Sequence, residues 1–564
     1  MSENTVEARS PIPGFASLLG GAILTLLFLI VALSELGWAL GTPIGGFVLP
    51  TALVGSCLVT GCAARIYFRR PLRVTLVVAA LLVLLVAAAA GFSGAFYDVS
   101  YDGQAYHQEG VYLLARGWNP LFTRYDSTLF AFKDIIMNHY PKGPWIVAAS
   151  MYRLMGHIET GKFASLLLVC AAFSMALAAF AGPRKKLSAW PVAMAVLVAA
   201  NPVALCQLCT FYVDGQLASL FACLAALCFL SVADGNPWVN LLLFEAAVLI
   251  IQVKFTGLVY VTILFAGFLG LLAWQKRPLR KTFYMAVLAL GLGTFVFGMN
   301  PYVFNILENG HPFYPFFGRG DLPNFSVRND TPPDFWEANR VANLAASIFS
   351  RSRVWPPEST LKTPWQVDRS EWRQFQEPDV RTGGFGPLFP AALVLSLAFL
   401  AIGVWRGGAA PWVATAIILI IIASALPVHA CWWARYAPQV WLIPLVALAP
   451  LGGAVEKRHW RRLSWLVLLI LSVNVAGIAR VNLRANVDAT RDVAASLMDL
   501  RSQVPFKVAF GNLRSNRFRL QEAGIPFIED ERHLKCDPEV KENYDMCIEQ
   551  ENGQVGSGQV GSRR

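Results

Sequence analysis

Thirteen residues, Tyr97-Asp98-Val99-Ser100-Tyr101-Asp102-Gly103-Gln104-Ala105-Tyr106-His107-Gln108-Glu109, bring together three carboxylates, one imidazole and three phenols. They follow directly on an apolar run, Leu72 to Phe92, that carries no charge after Arg73. Charged groups at the mouth of such a run are costly unless they are hydrated or put to use. Asp98 and Asp102 read either as capping or solvated loop acids, or as working groups. The work would be general-base chemistry on a hydroxyl, or ligation of a divalent cation such as Mg or Mn. Tyr101, Tyr106 and His107 add a hydrogen-bonding and stacking surface of the kind that binds sugars. Glu109 is a third candidate, and equally a polar position on an amphipathic helix.

Cations are placed as sparingly. Lys254 stands in Gln252-Val253-Lys254-Phe255-Thr256-Gly257, between two apolar runs with almost no loop. It reads as a snorkelling lysine or as a cation held against a phosphate. Arg435 stands in Cys431-Trp432-Trp433-Ala434-Arg435-Tyr436-Ala437-Pro438 at the end of another apolar run. The tryptophans fit an aromatic belt. An arginine there can grip a phosphate through two parallel hydrogen bonds. His139, Lys142 and His311 are further polar candidates in Pro-rich turns.

The elements that must position these groups are membrane spans. Of 564 residues, 55% are hydrophobic and 15% charged, with mean hydropathy +0.49, whereas soluble domains are about a quarter charged. At roughly 20 apolar residues per crossing, the chain predicts an all-α polytopic membrane protein with about thirteen transmembrane helices: 14–34, 44–64, 72–93, 163–182, 188–206, 215–233, 237–253, 256–274, 282–300, 386–404, 411–428, 438–454 and 463–481. No cleavable signal is expected, since the first apolar run is too long for a signal core. The basic clusters Arg65/Arg69/Arg70/Arg73, Arg184/Lys185/Lys186, Lys276/Arg277/Arg280/Lys281 and Lys457/Arg458/Arg461/Arg462 all fall on one side if the N-terminus is cytoplasmic. The +11 charge is then mostly a topology signal, and no nucleic-acid partner is inferred. The plasma (inner) membrane is the expected location.

That topology sends the loops 94–162 and 301–385 and the C-terminal region 482–564 to the outer side. Outer-surface amphipathic helices are expected over Ala105–Ala115 and Trp145–Met155. The region 482–550 reads as a small α/β appendage: a helix over Val487–Ser502, then strands near Lys507–Phe510 and Pro526–Ile528. Residues 551–564, with Gly-Gln-Val-Gly-Ser written twice, read as a disordered tail. Cys536 and Cys547 predict a disulfide in an oxidising compartment; the other cysteines read as small apolar residues. The absence of a Walker loop and of a dinucleotide-binding glycine signature argues against ATP-driven transport.

The order of parts resembles the GT-C superfamily of integral membrane glycosyltransferases, which includes protein O-mannosyltransferases and the aminoarabinose transferase of lipid A. The resemblance covers roughly residues 72 to 450. It rests on the acidic motif Tyr97 to Glu109, the turn Tyr140-Pro141-Lys142-Gly143-Pro144-Trp145, the Lys254-Phe255-Thr256-Gly257 break, the loop Asn309-Gly310-His311-Pro312-Phe313-Tyr314-Pro315, and Arg435-Tyr436. It implies sugar transfer from a polyprenyl-phosphate carrier to an acceptor hydroxyl on a lipid, glycan or protein, commonly with inversion. It also implies a base from the first outer loop and, in some members, a divalent metal. In this chain that loop follows the third span where the family's usually follows the first. On this pattern Asp102 is the expected base, and Asp98 orients the acceptor or holds metal. His107 and Glu109 contact the sugar, and Lys254 and Arg435 offset the phosphate. The alternatives are an O-antigen-type ligase or polymerase using Arg319, Arg340, Arg351 and Arg353, and a transporter of lipid-linked sugars.

Overall fold

The computed structural model describes residues 11–127, 131–181, 188–233, 235–317, 331–336, 339–453, 458–502, 506–530, 546–550 and 555–558. Arg319, Cys536 and the basic residues Arg184, Lys185, Lys186 and Lys457 lie outside them. The chain is a polytopic helical bundle. Among the described residues, seven helices are long and apolar enough to cross a membrane, and an eighth crossing results if Arg280–Phe295 and Met299–Asn309, bent by 73°, count as one. Five shorter apolar helices, Ala189–Ala199, Pro237–Val253, Phe389–Trp405, Ala409–Ala425 and Pro438–Leu451, overlap the remaining apolar segments. Proline in the first turn opens the helices starting at Pro71, Gly143, Pro202, Pro237 and Phe389, where its missing N–H leaves no bond unmade.

The N-terminal helix Pro11–Ala39 packs against Val48–Tyr67, Phe163–Ala181 and Pro237–Val253. A second group, Phe389–Trp405, Ala409–Ala425 and Leu442–Gly453, packs on itself and on the last long helix. Between the two lies the break at Lys254. This residue is extended (φ −161°, ψ 154°) and joins Pro237–Val253 to Phe255–Trp274. Close packing holds the break. Gln252 donates to the Gly293 carbonyl at 2.7 Å and Tyr302 to the Ile251 carbonyl at 2.8 Å. A Cβ on Gly257 would come within 2.1 Å of the Ile250 carbonyl oxygen.

Several expectations change. The segment Gly143–Met155 is helical as expected, but Gly143 to Met151 are all buried. It is an interior helix packed on the N-terminal helix and on Gln108–Ala115, not an amphipathic helix at the surface. The boundary expected at residue 482 falls inside one helix, Arg458–Arg501, of 44 residues, about 66 Å at 1.5 Å per residue. Val481 to Asn486 contains no proline or glycine, so polarity rises there without ending the helix. Leu471, Asn474, Ile478, Asn482, Asn486, Ala489 and Val493 form one buried stripe along it, at the three-to-four spacing of a helix face.

The helix leads into a sheet of order β2-β1-β3-β4, with β1 Phe506–Ala509, β2 Phe527–Glu529, β3 Met546–Gln550 and β4 Val555–Gly558. β1 pairs parallel to β2 and antiparallel to β3, and β3 antiparallel to β4. The first two match the expected strands within a residue or two. β4 corrects the expected tail, because part of the repeat pairs with β3 through main-chain bonds that need no particular side chain.

This C-terminal unit sits on the segment 94–162. Tyr97 and Val99 pack against its core of Val493, Leu497, Phe506, Val508 and Leu520. Tyr112 stacks on Phe518 at 4.2 Å, and Arg517 pairs with Glu109 at 2.6 Å. Glu522 accepts from the Ile158 N–H at 2.8 Å and pairs with His157 Nδ1 at 2.6 Å.

Two measurements follow. Gly257→Ala should destabilise the detergent-purified protein by about 1–3 kcal/mol through overpacking against backbone. Gly270→Ala, with open space around it, should change stability by under about 0.5 kcal/mol; equal melting curves would refute the packing account. The Glu522 hydrogen bond, with Glu159 nearby, raises the His157 pKa above its ordinary 6.5. Its contribution to docking is therefore full below pH 6.5 and lost as pH rises through the raised value. Solvent weakens it, because the imidazole is 36% exposed. Proteolytic release of the C-terminal unit should quicken over that window in the wild type and lose this pH dependence in His157→Gln.

Candidate active site

A cleft of about 600 Å³ opens where the segments 94–162 and 301–385 meet the helix ends. Asp102, Tyr101, Tyr106, Lys254 and Arg435 line it, joined by Asp379, Arg381, Tyr140, Tyr212, Trp433 and Tyr436. Its centre is the Arg435 guanidinium. Nε donates to Asp214 at 2.9 Å, one terminal nitrogen to Asp379 at 2.8 Å and the other to Asp102 at 2.7 Å. Its plane lies against Tyr212 at 4.4 Å and near Tyr436 and Trp433. Lys254 pairs with the second oxygen of Asp214 at 2.7 Å and stands 4.2 Å from the Tyr436 ring centre. Three carboxylates thus share two cations.

Each group arrives from a different element. Arg435 sits in the short turn Ala434–Tyr436, below the stacked Trp432–Trp433 pair. Asp214 opens the helix Asp214–Ala233, where the positive end of the helix dipole favours a carboxylate, and its side chain is fully enclosed. Asp379 comes from the loop 301–385. Asn482 donates to the Phe375 carbonyl at 3.1 Å, and Asn474 accepts from the Leu388 N–H at 3.0 Å, so the long helix clamps that loop on both sides of Asp379. Asp102 and Asp379 are both 16% exposed, toward the cleft. Burial raises the Asp379 pKa, with Arg435 opposing, and its second oxygen is enclosed without a hydrogen-bond partner.

Six of the expected site residues do not line the cleft. Asp98 is fully buried; its oxygens accept the Ser100 N–H at 2.8 Å and the Phe211 N–H at 2.7 Å. Burial lifts its pKa to about 6 against these bonds and Lys162. His107 lies behind Tyr106, accepts from the Trp145 indole at 2.7 Å, and is pushed by burial down to about 3, so it is neutral. Glu109 is spent on Arg517. Lys142 is enclosed, donating to Asn300 at 2.6 Å and to the Tyr140 carbonyl at 3.0 Å, with burial lowering its pKa to about 7 against Glu35. His311 accepts from the Phe313 N–H at 3.1 Å within its own turn. His139 likewise bonds Asn305 at 2.7 Å. Of the arginines an O-antigen-type ligase would use, Arg340 holds the Leu426 and Pro427 carbonyls, Arg351 pairs with Asp368 and Arg353 with Glu358. None of these three lines the cleft.

The expected Asp98–Asp102 metal pair does not fit a cation. Asp98 faces backbone N–H groups, and the Arg435 guanidinium occupies the place between Asp102, Asp214 and Asp379. Among the described residues no group of three His, Cys, Asp or Glu side chains is arranged for a metal. Cys206 and Cys209 are buried free thiols.

Asp214 and Asp379 escaped the sequence reading. Asp214 had one signal, an acid at the head of an apolar span, which marks a functional position by default. Asp379 had none beyond its place in a long loop. Compared with protein-family models and with curated proteins, the chain gives no match.

Removing the central cation should leave the enclosed Asp214 with Lys254 alone and strip Asp102 and Asp379 of the guanidinium they bind. Arg435→Met is expected to cost about 3–5 kcal/mol, the range for breaking a buried ion pair from one side. Unfolding in detergent measures it, and a loss below about 1 kcal/mol would show the cluster to be solvated.

Proposed function

We propose that the chain is an integral membrane glycosyltransferase that moves a sugar from a polyprenyl-phosphate carrier to an acceptor hydroxyl. The observation that carries the reading is the convergence of Asp102, Asp379, Lys254 and Arg435 in one aromatic-walled cleft at the ends of apolar helices. Sugars stack on aromatic faces and bond to carboxylates. A lipid-linked donor needs its head group in water and its tail between spans, and a cleft at helix ends serves both. The shorter apolar helices complete thirteen crossings in this reading. The basic loops face the cytoplasm, and the cleft faces the outer side of the plasma membrane.

In the reaction the acceptor oxygen attacks the anomeric carbon. Its proton passes to the Asp102 carboxylate, the bond from the anomeric carbon to the phosphate oxygen breaks, and polyprenyl phosphate leaves with the electron pair. Lys254 offsets charge on that phosphate, since Asp214 takes only one of its N–H groups. Such fixed charges are worth most where water is excluded. Arg435, expected to grip phosphate, has each of its three nitrogens on a carboxylate, with two N–H groups beyond these bonds. Its work is to hold Asp102 and Asp379 at the cleft wall, much as a third group orients a catalytic base. Asp214 fixes both cations from behind. No step runs through a metal.

Asp102→Asn, purified in detergent and supplied with radiolabelled polyprenyl-phosphate hexoses and pentoses, should elute as the wild type does. It should lose about 10²–10⁴-fold in turnover, the range for a general base. Undiminished turnover would remove Asp102 as the base. Failure of the wild type to transfer or release sugar from any of these donors would favour the transporter reading.

A further inference from the structure

We propose that Arg519, in the C-terminal unit and 421 positions beyond Asp98, is a positioning residue for Asp102. The inference rests on the reading of Asp102 as base. The Arg519 side chain is entirely enclosed. Its guanidinium donates to the Asp98 carbonyl, to Gln104 Oε1 at 3.3 Å and to Asn516 Oδ1 at 2.8 Å, and it pairs with Glu159 at 3.4 Å. Asp98 and Gln104 bracket Asp102. The Ser515 N–H adds a bond to the Gln104 carbonyl at 3.4 Å.

The bracketed segment cannot hold this shape alone. It winds from irregular backbone at residues 97–100 into a wide helical turn, Gly103–His107. From below, Asp98 is tied to Ser100 and Phe211, and the Gly103 N–H donates to Ser100 Oγ at 3.3 Å. A Cβ on Gly103 would lie 1.9 Å from an Asp98 carboxylate oxygen, so the turn closes directly on that group. Arg519 supplies the upper contact. A leucine there would fill the space and leave the register of residues 98–104 open. A planar guanidinium with fixed donor directions fixes it. Glu159 completes the arrangement: it accepts from the Asp98 N–H at 3.1 Å and pairs with Lys162 at 2.5 Å, so the charge Arg519 buries is matched. Asn486 and Leu513, on either side of the sheet's entry, line the cleft themselves. The C-terminal unit is thereby a wall of the site as well as its brace.

The test uses the full-length protein in detergent, with Arg519→Met and Arg519→Lys. Hydrogen–deuterium exchange is read on the peptide covering 97–108 and on helices 163–181 and 237–253. Transfer kinetics use the polyprenyl-phosphate sugar found active with the wild type. Arg519→Met should speed exchange at 97–108 by about tenfold or more while leaving the two bundle helices protected. Its kcat should fall by about 10²-fold, the cost of a misplaced reacting group, with donor KM nearly unchanged. Arg519→Lys, which keeps the charge and loses the fork, should fall between wild type and Arg519→Met in both readouts. Unchanged exchange at 97–108 would overturn the proposal. So would faster exchange with unchanged kcat, or equal loss of protection in the bundle helices. If the wild type transfers no sugar, the functional reading fails by itself, and the exchange comparison still decides whether Arg519 holds the segment.

Discussion

One guanidinium organises this protein. Arg435 reaches Asp102 from the segment 94–162, Asp214 from the head of an apolar helix and Asp379 from the loop 301–385. Those acids stand hundreds of residues from it in two of the three cases, 333 for Asp102 and 221 for Asp214. An enclosed carboxylate without a partner is costly, and so is an enclosed cation. Each of these elements is therefore held at the cleft by charges that only the others can match. Lys254 extends the arrangement by binding the far oxygen of Asp214, which ties the break in the bundle to the same centre.

Around that centre the polar residues divide by what stands opposite them. Asp98, Glu109, Glu159 and Lys142 are buried, yet they face backbone groups, a side-chain amide or opposite charges within the protein. They shape the segments. Asp102, Asp379 and Lys254 face open volume, so a substrate can reach them. Chemistry in the cleft then depends on the structural set being complete, because the exposed acids ride on segments whose shape the enclosed ones fix.

This division explains what the sequence made legible. The apolar runs, the Lys254 break and the charged residues beside spans were visible as departures from hydrophobic composition, and Asp102, Lys254 and Arg435 were found that way. Asp98, His107, Glu109 and Lys142 carry the same signature. Polarity beside a span says that a group must be satisfied, not by what, and here the partners Phe211, Trp145, Arg517 and Asn300 come from other elements. Asp379 was invisible because its loop is shaped by contacts between residues far apart in sequence, among them those of Asn474 and Asn482. The junction near residue 482 was misplaced for a simpler reason. Hydrophobicity marks where the membrane environment ends, whereas backbone hydrogen bonding continues as long as no residue interrupts it.

The helix Arg458–Arg501 has a mechanical consequence. A rod about 66 Å long whose first half is apolar and whose second half carries the C-terminal unit cannot change its tilt in one environment alone. Asn474, Asn482 and Asn486 lie along its buried stripe, two clamping the Asp379 loop and one lining the cleft. A thicker or thinner bilayer shifts the preferred tilt of a span at a modest free-energy cost. The lever then moves the loop, the cleft wall and the docked sheet in concert, which makes the thickness of the surrounding lipid a variable of the site's own geometry.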